Sequence, residues 1–191
     1  MPRLSREQLV DAAVAVVESN GFDALSLRSV ARHLGVGPMT LYTYVDGSEE
    51  LAALVVERLV EEAVSDLSWP RSWREVLQLF AQELDALVVR HPAMVEAYKR
   101  GMTRSGRAHL VAKDVLDRLM ADGLSPEQAR DAYVAVHAVV LGYSLMRSGR
   151  EQHAVAAASR DSSRGMDDVV DLTSLPLSHL VNKVLDGVAP S

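Results

Sequence analysis

Within Leu34–Val45, LGVGPMTLYTYV, the residues that could do chemistry are two hydroxyls, two phenols and a thioether. Met39, Thr40, Tyr42, Thr43 and Tyr44 follow two glycines and Pro38, and no charge falls among them. On a helical wheel starting at Pro38, Leu41 and Val45 fall on one side. Met39, Thr40 and Thr43 cluster opposite, with Tyr42 and Tyr44 on the flanks. A threonine hydroxyl can hydrogen-bond a base edge, and its methyl can rest on the methyl of thymine. A phenol can reach a phosphate. A solvated helix face ordinarily carries Lys and Glu, so an uncharged exposed face suits a groove. The same geometry also occurs in helical bundles that never meet nucleic acid, and spacing alone leaves both readings open.

The elements that must hold this face are marked by clear punctuation. Ser5 and Gln8 have capping-box spacing and open a first helix, with Leu9, Ala12, Ala13, Val16 and Val17 inward. Asn20-Gly21 stops it. Ser26 caps a second helix over Leu27–Leu34, Gly35-Val36-Gly37 makes a tight turn, and Pro38 begins a third helix running to Val45. A long fourth helix spans Ser48–Leu67 and is broken at SWPRSW. Ser72 and Glu75 have the spacing to cap a fifth helix, which runs to Arg90, and His91-Pro92 leads into a sixth. Gly101–Gly106 reads as a loose joint, and a seventh helix ends at Gly123. Ser125-Pro126-Glu127-Gln128 starts an eighth, expected to end near Arg147. A small, polar stretch over 149–174 follows, in which Glu151–Ser159 could form a short helix, and a last helix lies within Leu175–Val188. The expected fold is all-α: a three-helix, helix-turn-helix head over residues 1–46 and a larger helical body over 47–191.

Composition narrows the function. The chain has 191 residues, 48% apolar and 24% charged, with a net charge of −6. That is ordinary for a globular protein and argues weakly against a general nucleic-acid binder. Residues 1–47 carry four arginines (Arg3, Arg6, Arg28, Arg32) against five carboxylates (Glu7, Asp11, Glu18, Asp23, Asp46). A DNA reading therefore rests on motif geometry rather than on bulk charge. There is no cysteine, hence no disulfide scaffold and no thiol nucleophile. Acids at Glu7 and Asp11 interrupt the apolar core that a secretion signal needs. The longest apolar run, Tyr133–Met146, is about 14 residues, short of the roughly 20 of a membrane span. A cytoplasmic protein with no membrane partner is expected. No glycine-rich phosphate loop, HExxH motif or nucleophile elbow is present, and His91, His109, His137 and His153 lack metal-ligand spacing. No catalytic residue, metal or cofactor is expected.

Residues 5–51, and above all LSLRSVARHLGVGPMTLYTYVDGSEEL, resemble the N-terminal domain of the tetracycline-repressor (TetR) family of bacterial transcriptional regulators. The resemblance implies a homodimeric repressor, released from a palindromic double-stranded operator by a small apolar effector. Ser26 and Arg28 would contact phosphates. Met39, Thr40 and Thr43, on the helix that Pro38 starts, would face the major groove, and Tyr42 and Tyr44 would meet the backbone on either side. Where the family often has a phosphate-binding lysine this chain has Ser48, followed by two acids. A shallow salt dependence of binding is the consequence. The other class open to such a chain is a helical protein-interaction module without specific DNA binding.

The body should then sense the effector and dimerise. Apolar walls with a few polar handles suit a small-molecule site. Candidates are Phe80, Leu84, Met94 and Tyr98, then Met102, His109, Leu116 and Met120, and on the eighth helix Tyr133 and His137. Met102, Arg104, Arg107 and His109 surround the glycine-marked joint, as a pocket gate or as a simple loop. The eighth helix is apolar around much of its circumference, with Gly142 and Ser144 permitting close approach. Paired with the last helix, it could form a four-helix bundle between two subunits.

Overall fold

The computed structural model describes residues 4–104, 106–157 and 175–188. Every element among them is helical: α1 Arg6–Asn20, α2 Leu27–Leu34, α3 Pro38–Leu41, α4 Ser48–Val64, α5 Trp73–Arg90, α6 Ala93–Lys99, α7 Gly106–Ala121, α8 Pro126–Ala157 and α9 Leu177–Asp186. Single 3₁₀ turns add Phe22–Ala24 and Met102–Arg104. No described helix is long and apolar enough to cross a membrane.

The caps of α1 and α8 act as their sequence signals suggest, whereas at α5 the partner is Asp122 rather than the Ser72–Glu75 pair. The Gln8 amide donates to Ser5 Oγ at 3.1 Å and the Ser5 amide to Gln8 Oε1 at 2.9 Å. Ser125 and Gln128 repeat the arrangement at the start of α8, at 3.2 and 2.8 Å. The first amide of α5, Trp73, donates to Asp122 Oδ2 at 2.7 Å.

Helix ends depart from expectation where no strong stop signal exists. α8 continues to Ala157 rather than ending near Arg147, so Glu151–Ala157 belong to it. Ser148 and Gly149 are weak helix formers, but an interior glycine costs only about 1 kcal/mol, and neither a proline nor a cap follows. The rest of the expected polar loop, 158–174, lies outside the described residues. α4 ends at Val64, three residues early, and α9 is trimmed at both ends to Leu177–Asp186. The joint after α6 carries a 3₁₀ turn, Met102–Arg104, between Gly101 and Gly106, at φ +69° and +62°.

The helices group into two compact units. One comprises Met1–Leu67 with Leu87–Lys113, the other Ser68–Ala86 with Asp114–Ser191. In the first, α1 packs against α2 and α4 around the fully buried Leu9, Ala13, Val30, Leu41, Leu51, Val55 and Leu59. In the second, α9 packs along α8, and Val76, Leu77, Leu119, Val136, Val140 and Leu185 are inaccessible.

Candidate nucleic-acid interface

The frame of the head is set by short-range bonds. The Ser29 amide donates to Ser26 Oγ at 3.1 Å and the Ser26 amide to Ser29 Oγ at 2.9 Å, closing a capping box on α2. The Ser29 hydroxyl also donates to the Ala24 carbonyl at 2.8 Å, tying α2 to the preceding 3₁₀ turn. At the other end Gly35 takes the left-handed conformation at φ +68°, and the Val36 amide donates back to the Ala31 carbonyl at 3.0 Å. That is the glycine-terminated helix end in which an L-residue with a Cβ would be strained. Gly37, at φ −73°, needs no such freedom. Pro38 then opens α3, where its missing amide hydrogen costs nothing.

α3 proper has four residues, Pro38–Leu41, rather than running to Val45. The chain stays wound beyond it: the Tyr44 amide donates to the Leu41 carbonyl at 2.9 Å and the Val45 amide to the same oxygen at 3.1 Å. Leu41 is 0% exposed and Val45 is buried, so both root the segment in the head. On the outside Met39 is 76% exposed and Tyr42 53%, with Pro38, Thr40 and Thr43 also exposed. The Thr43 hydroxyl donates to the Thr40 carbonyl at 2.7 Å.

Two residues expected at the DNA backbone are engaged inside the head. Tyr44 is half-buried and its hydroxyl donates to the Leu4 carbonyl, pinning the chain ahead of α1. Ser26 is half-buried and its oxygen serves the cap of α2. Arg28 is exposed, and Ser48 is exposed at the first position of α4.

Charge is distributed in a way the count over residues 1–47 hides. Asp11 Oδ1 lies 2.8 Å from Arg58, and Glu7 4.0 Å from the same guanidinium. Glu18 Oε1 is 2.7 Å from Nδ1 of the buried His91, and Asp23 is 2.6 Å from Arg100. Bonds to Glu62 and the charge of Asp11 raise the Arg58 pKa, and bonds to Glu96 and Asp23 raise that of Arg100. Three of the five acids thus face arginines supplied by later helices of the same unit, Glu7 and Asp11 sharing Arg58, and Glu18 faces a histidine ring. Arg6 meets Glu50 at 3.4 Å. Arg28 and Arg32, both exposed, have no ion pair among the described residues. Four positions apart, they share one face of α2. Sequence reading missed Arg32; its spacing from Arg28 was the available signal.

Of the body candidates, the structure brings Phe80, Tyr133 and His137 together. Ring centroids lie 5.0 Å apart for Phe80–Tyr133, 5.5 Å for Phe80–His137 and 5.4 Å for Tyr133–His137. Burial pushes the Tyr133 phenol up to about 12 and the His137 imidazole down to about 4. Both are therefore neutral at ordinary pH. Leu84 is buried and Leu116 half-buried in the same unit, whereas Met120 is exposed. In the first unit Met94 is fully buried, Tyr98 and Met102 are half-buried, and His109 is exposed. Around the glycine joint, Met102 and Arg107 line a cleft of only about 40 Å³, too small for an effector. One polar cluster had no sequence signal. Arg147 makes a two-pronged bond to Asp85 at 2.7 and 3.2 Å, and the Ser144 hydroxyl donates to the same carboxylate at 3.0 Å.

Comparison with known proteins agrees with this geometry. The family model for bacterial regulatory proteins of the tetR family matches residues 9–55. The chain is 32% identical over 143 residues to the HTH-type transcriptional repressor DrrR1 of Streptomyces coeruleorubidus, covering 74% of this chain but about half, 53%, of that protein. It is 28% identical over 167 residues to the class D tetracycline repressor protein of Escherichia coli, covering 85% of this chain and 74% of that one. In fold it matches the TetR family protein ActR of Streptomyces coelicolor, solved in complex with actinorhodin, at a TM-score of 0.72 and 22% identity, over 98% of this chain and 96% of that one. With the capped α2, the left-handed glycine turn and the rooted α3 all inside the matched segment, residues 9–55 are similar to the N-terminal domain of bacterial regulatory proteins of the tetR family.

Proposed function

We propose that the protein is a homodimeric, ligand-responsive repressor, with residues 1–46 as its DNA-binding head and 47–191 as its sensing and dimerisation body. The observation that carries this reading is the α3 segment: rooted by Leu41 and Val45, uncharged where exposed, and next to two exposed arginines of α2 that have no ion pair among the described residues. Met39, Thr40 and Thr43 face bases. Tyr42, Arg28, Arg32 and Ser48 meet phosphates, and the first turn of α4 adds a partial positive charge. The relatives named as repressors support the direction of regulation. The neutral Phe80–Tyr133–His137 cluster supports an uncharged, apolar effector, acting in the cytoplasm through a coupling of about 1–3 kcal/mol between sites.

The test is retardation of duplex DNA from upstream of the protein's own gene, repeated with small aromatic compounds that should release it. Across a salt series, two arginines per subunit predict a log–log slope of about −4 for the dimer, and Arg28→Ala should flatten it by about 2. A slope of about −8 or steeper would contradict this assignment of phosphate contacts.

Dimerisation has its own signature. On α8, Val134, Ala138, Leu141 and Leu145 recur at helical spacing opposite the buried Val136, Val140 and Tyr143, and Val134 and Leu145 are 56% and 50% exposed. An apolar stripe open to water on the far side of a core helix is the face a second copy would cover. Leu145→Glu is expected to shift the protein to monomer in sedimentation. Operator binding should then fall by about tenfold or more, because two reading heads spaced roughly 34 Å apart are lost. An unchanged sedimentation coefficient would exclude this face.

A further inference from the structure

We infer that the α3 segment reads thymine, through methyl-to-methyl contact, rather than any base through a hydrogen-bonding fork. The inference rests on the proposed DNA-binding role and specifies what the head recognises.

Each base has side chains suited to its edge. Arginine or lysine grips guanine O6 and N7, asparagine or glutamine grips adenine N6 and N7, and a carboxylate accepts from cytosine N4. None of these residue types occurs between Gly37 and Val45. The segment instead exposes Met39, Thr40, Tyr42 and Thr43. Methionine has a thioether and a methyl but no donor. Thr43 could in principle donate, but its hydroxyl hydrogen is committed to the Thr40 carbonyl at 2.7 Å. What Thr43 keeps for a partner is a methyl group and a weakly accepting oxygen. The major-groove edge of thymine carries an apolar group, the C5 methyl. Met39 and Thr43, one helical turn apart on the same face, match that edge and none of the others as well.

The arginines do not restore a fork on α3. Arg28 and Arg32 belong to α2, which by the proposed arrangement meets the phosphate backbone. Base reading by Met39 and Thr43 therefore depends on apolar contact, and each thymine methyl they meet should count individually.

The full-length protein should first be used to select bound duplexes from a randomised pool. The enriched site is then resynthesised with deoxyuridine in place of single thymidines, which removes only the C5 methyl. Burying one methyl-sized group is worth about 0.8 kcal/mol, or roughly fourfold in affinity. At least one thymine per half-site should show about this loss. Thr43→Ser, which lacks the side-chain methyl, should bind the thymine and uracil sites equally at one of those positions. Thr43→Val, which keeps methyls and loses the hydroxyl, should still discriminate. A selected site that binds tightly and is indifferent to every uracil substitution overturns the inference and leaves the DNA-binding role standing. A pool that yields no enriched sequence overturns both.

Discussion

Leu41→Ala is expected to destabilise the protein by about 2–5 kcal/mol and to abolish specific DNA binding, whereas Met39→Ala leaves stability within about 0.5 kcal/mol and weakens binding only. The two residues lie on the same four-residue helix and differ in what they touch. Leu41 is 0% exposed and, with Val45, fixes the α3 segment to the packed head. Truncating it removes the transfer energy of the side chain and leaves a cavity that a helix this short cannot collapse into without moving. Met39 is 76% exposed and contributes little to packing. Thermal unfolding and gel retardation of both variants check the pair. Leu41→Ala with an unaltered melting temperature, or Met39→Ala with a large drop in it, would show that the buried and exposed faces have been assigned the wrong way round. The contrast matters because α3 cannot hold itself. Isolated helices shorter than about 12 residues are marginal in water, so the reading surface exists only through its buried side.

How much of this was legible in the sequence depended on the range of the determining interaction. Ser5–Gln8, Ser125–Gln128, Gly35 and Gly123 act within a turn of themselves, and both their chemistry and their positions could be read from spacing. The rooted face of α3 followed from the helical period. Helix ends without a cap, such as that of α8, were misjudged because tolerance of Ser148-Gly149 is a matter of degree. Long-range pairings were invisible. Nothing local told that Asp11 would meet Arg58, Asp23 meet Arg100, or Asp85 meet Arg147. The acidic count of the head was therefore incomplete, since Asp11 and Asp23 face guanidinium groups far along the chain. The same limit hid the use of Tyr44, whose hydroxyl serves Leu4, forty positions away. Body residues were chosen by type alone, and type could not separate the clustered Phe80, Tyr133 and His137 from the exposed His109 and Met120.

His137 should make stability fall as pH is lowered from about 6.5 towards about 4, by as much as roughly 2–3 kcal/mol before other groups are counted. The direction follows from proton counting. In the unfolded chain an imidazole takes up its proton near its ordinary value of about 6.5. In the folded protein burial against Phe80 and Tyr133 delays protonation until about 4. Between those limits the unfolded state binds more protons, so acid favours unfolding, and below the lower limit the contribution levels off. The stabilisation is fully present above about 6.5 and is lost on the acid side. Carboxylates elsewhere also titrate at the lower end, so the wild-type profile alone does not isolate the imidazole. His137→Phe does: it keeps an aromatic ring against Phe80 and Tyr133 and removes the titration. The variant's melting temperature should rise relative to that of wild type on acidification through this window, and the offset should stay constant above it. Parallel profiles would mean that water reaches the ring. That outcome would remove the low-dielectric surroundings on which the assignment of an uncharged effector depends.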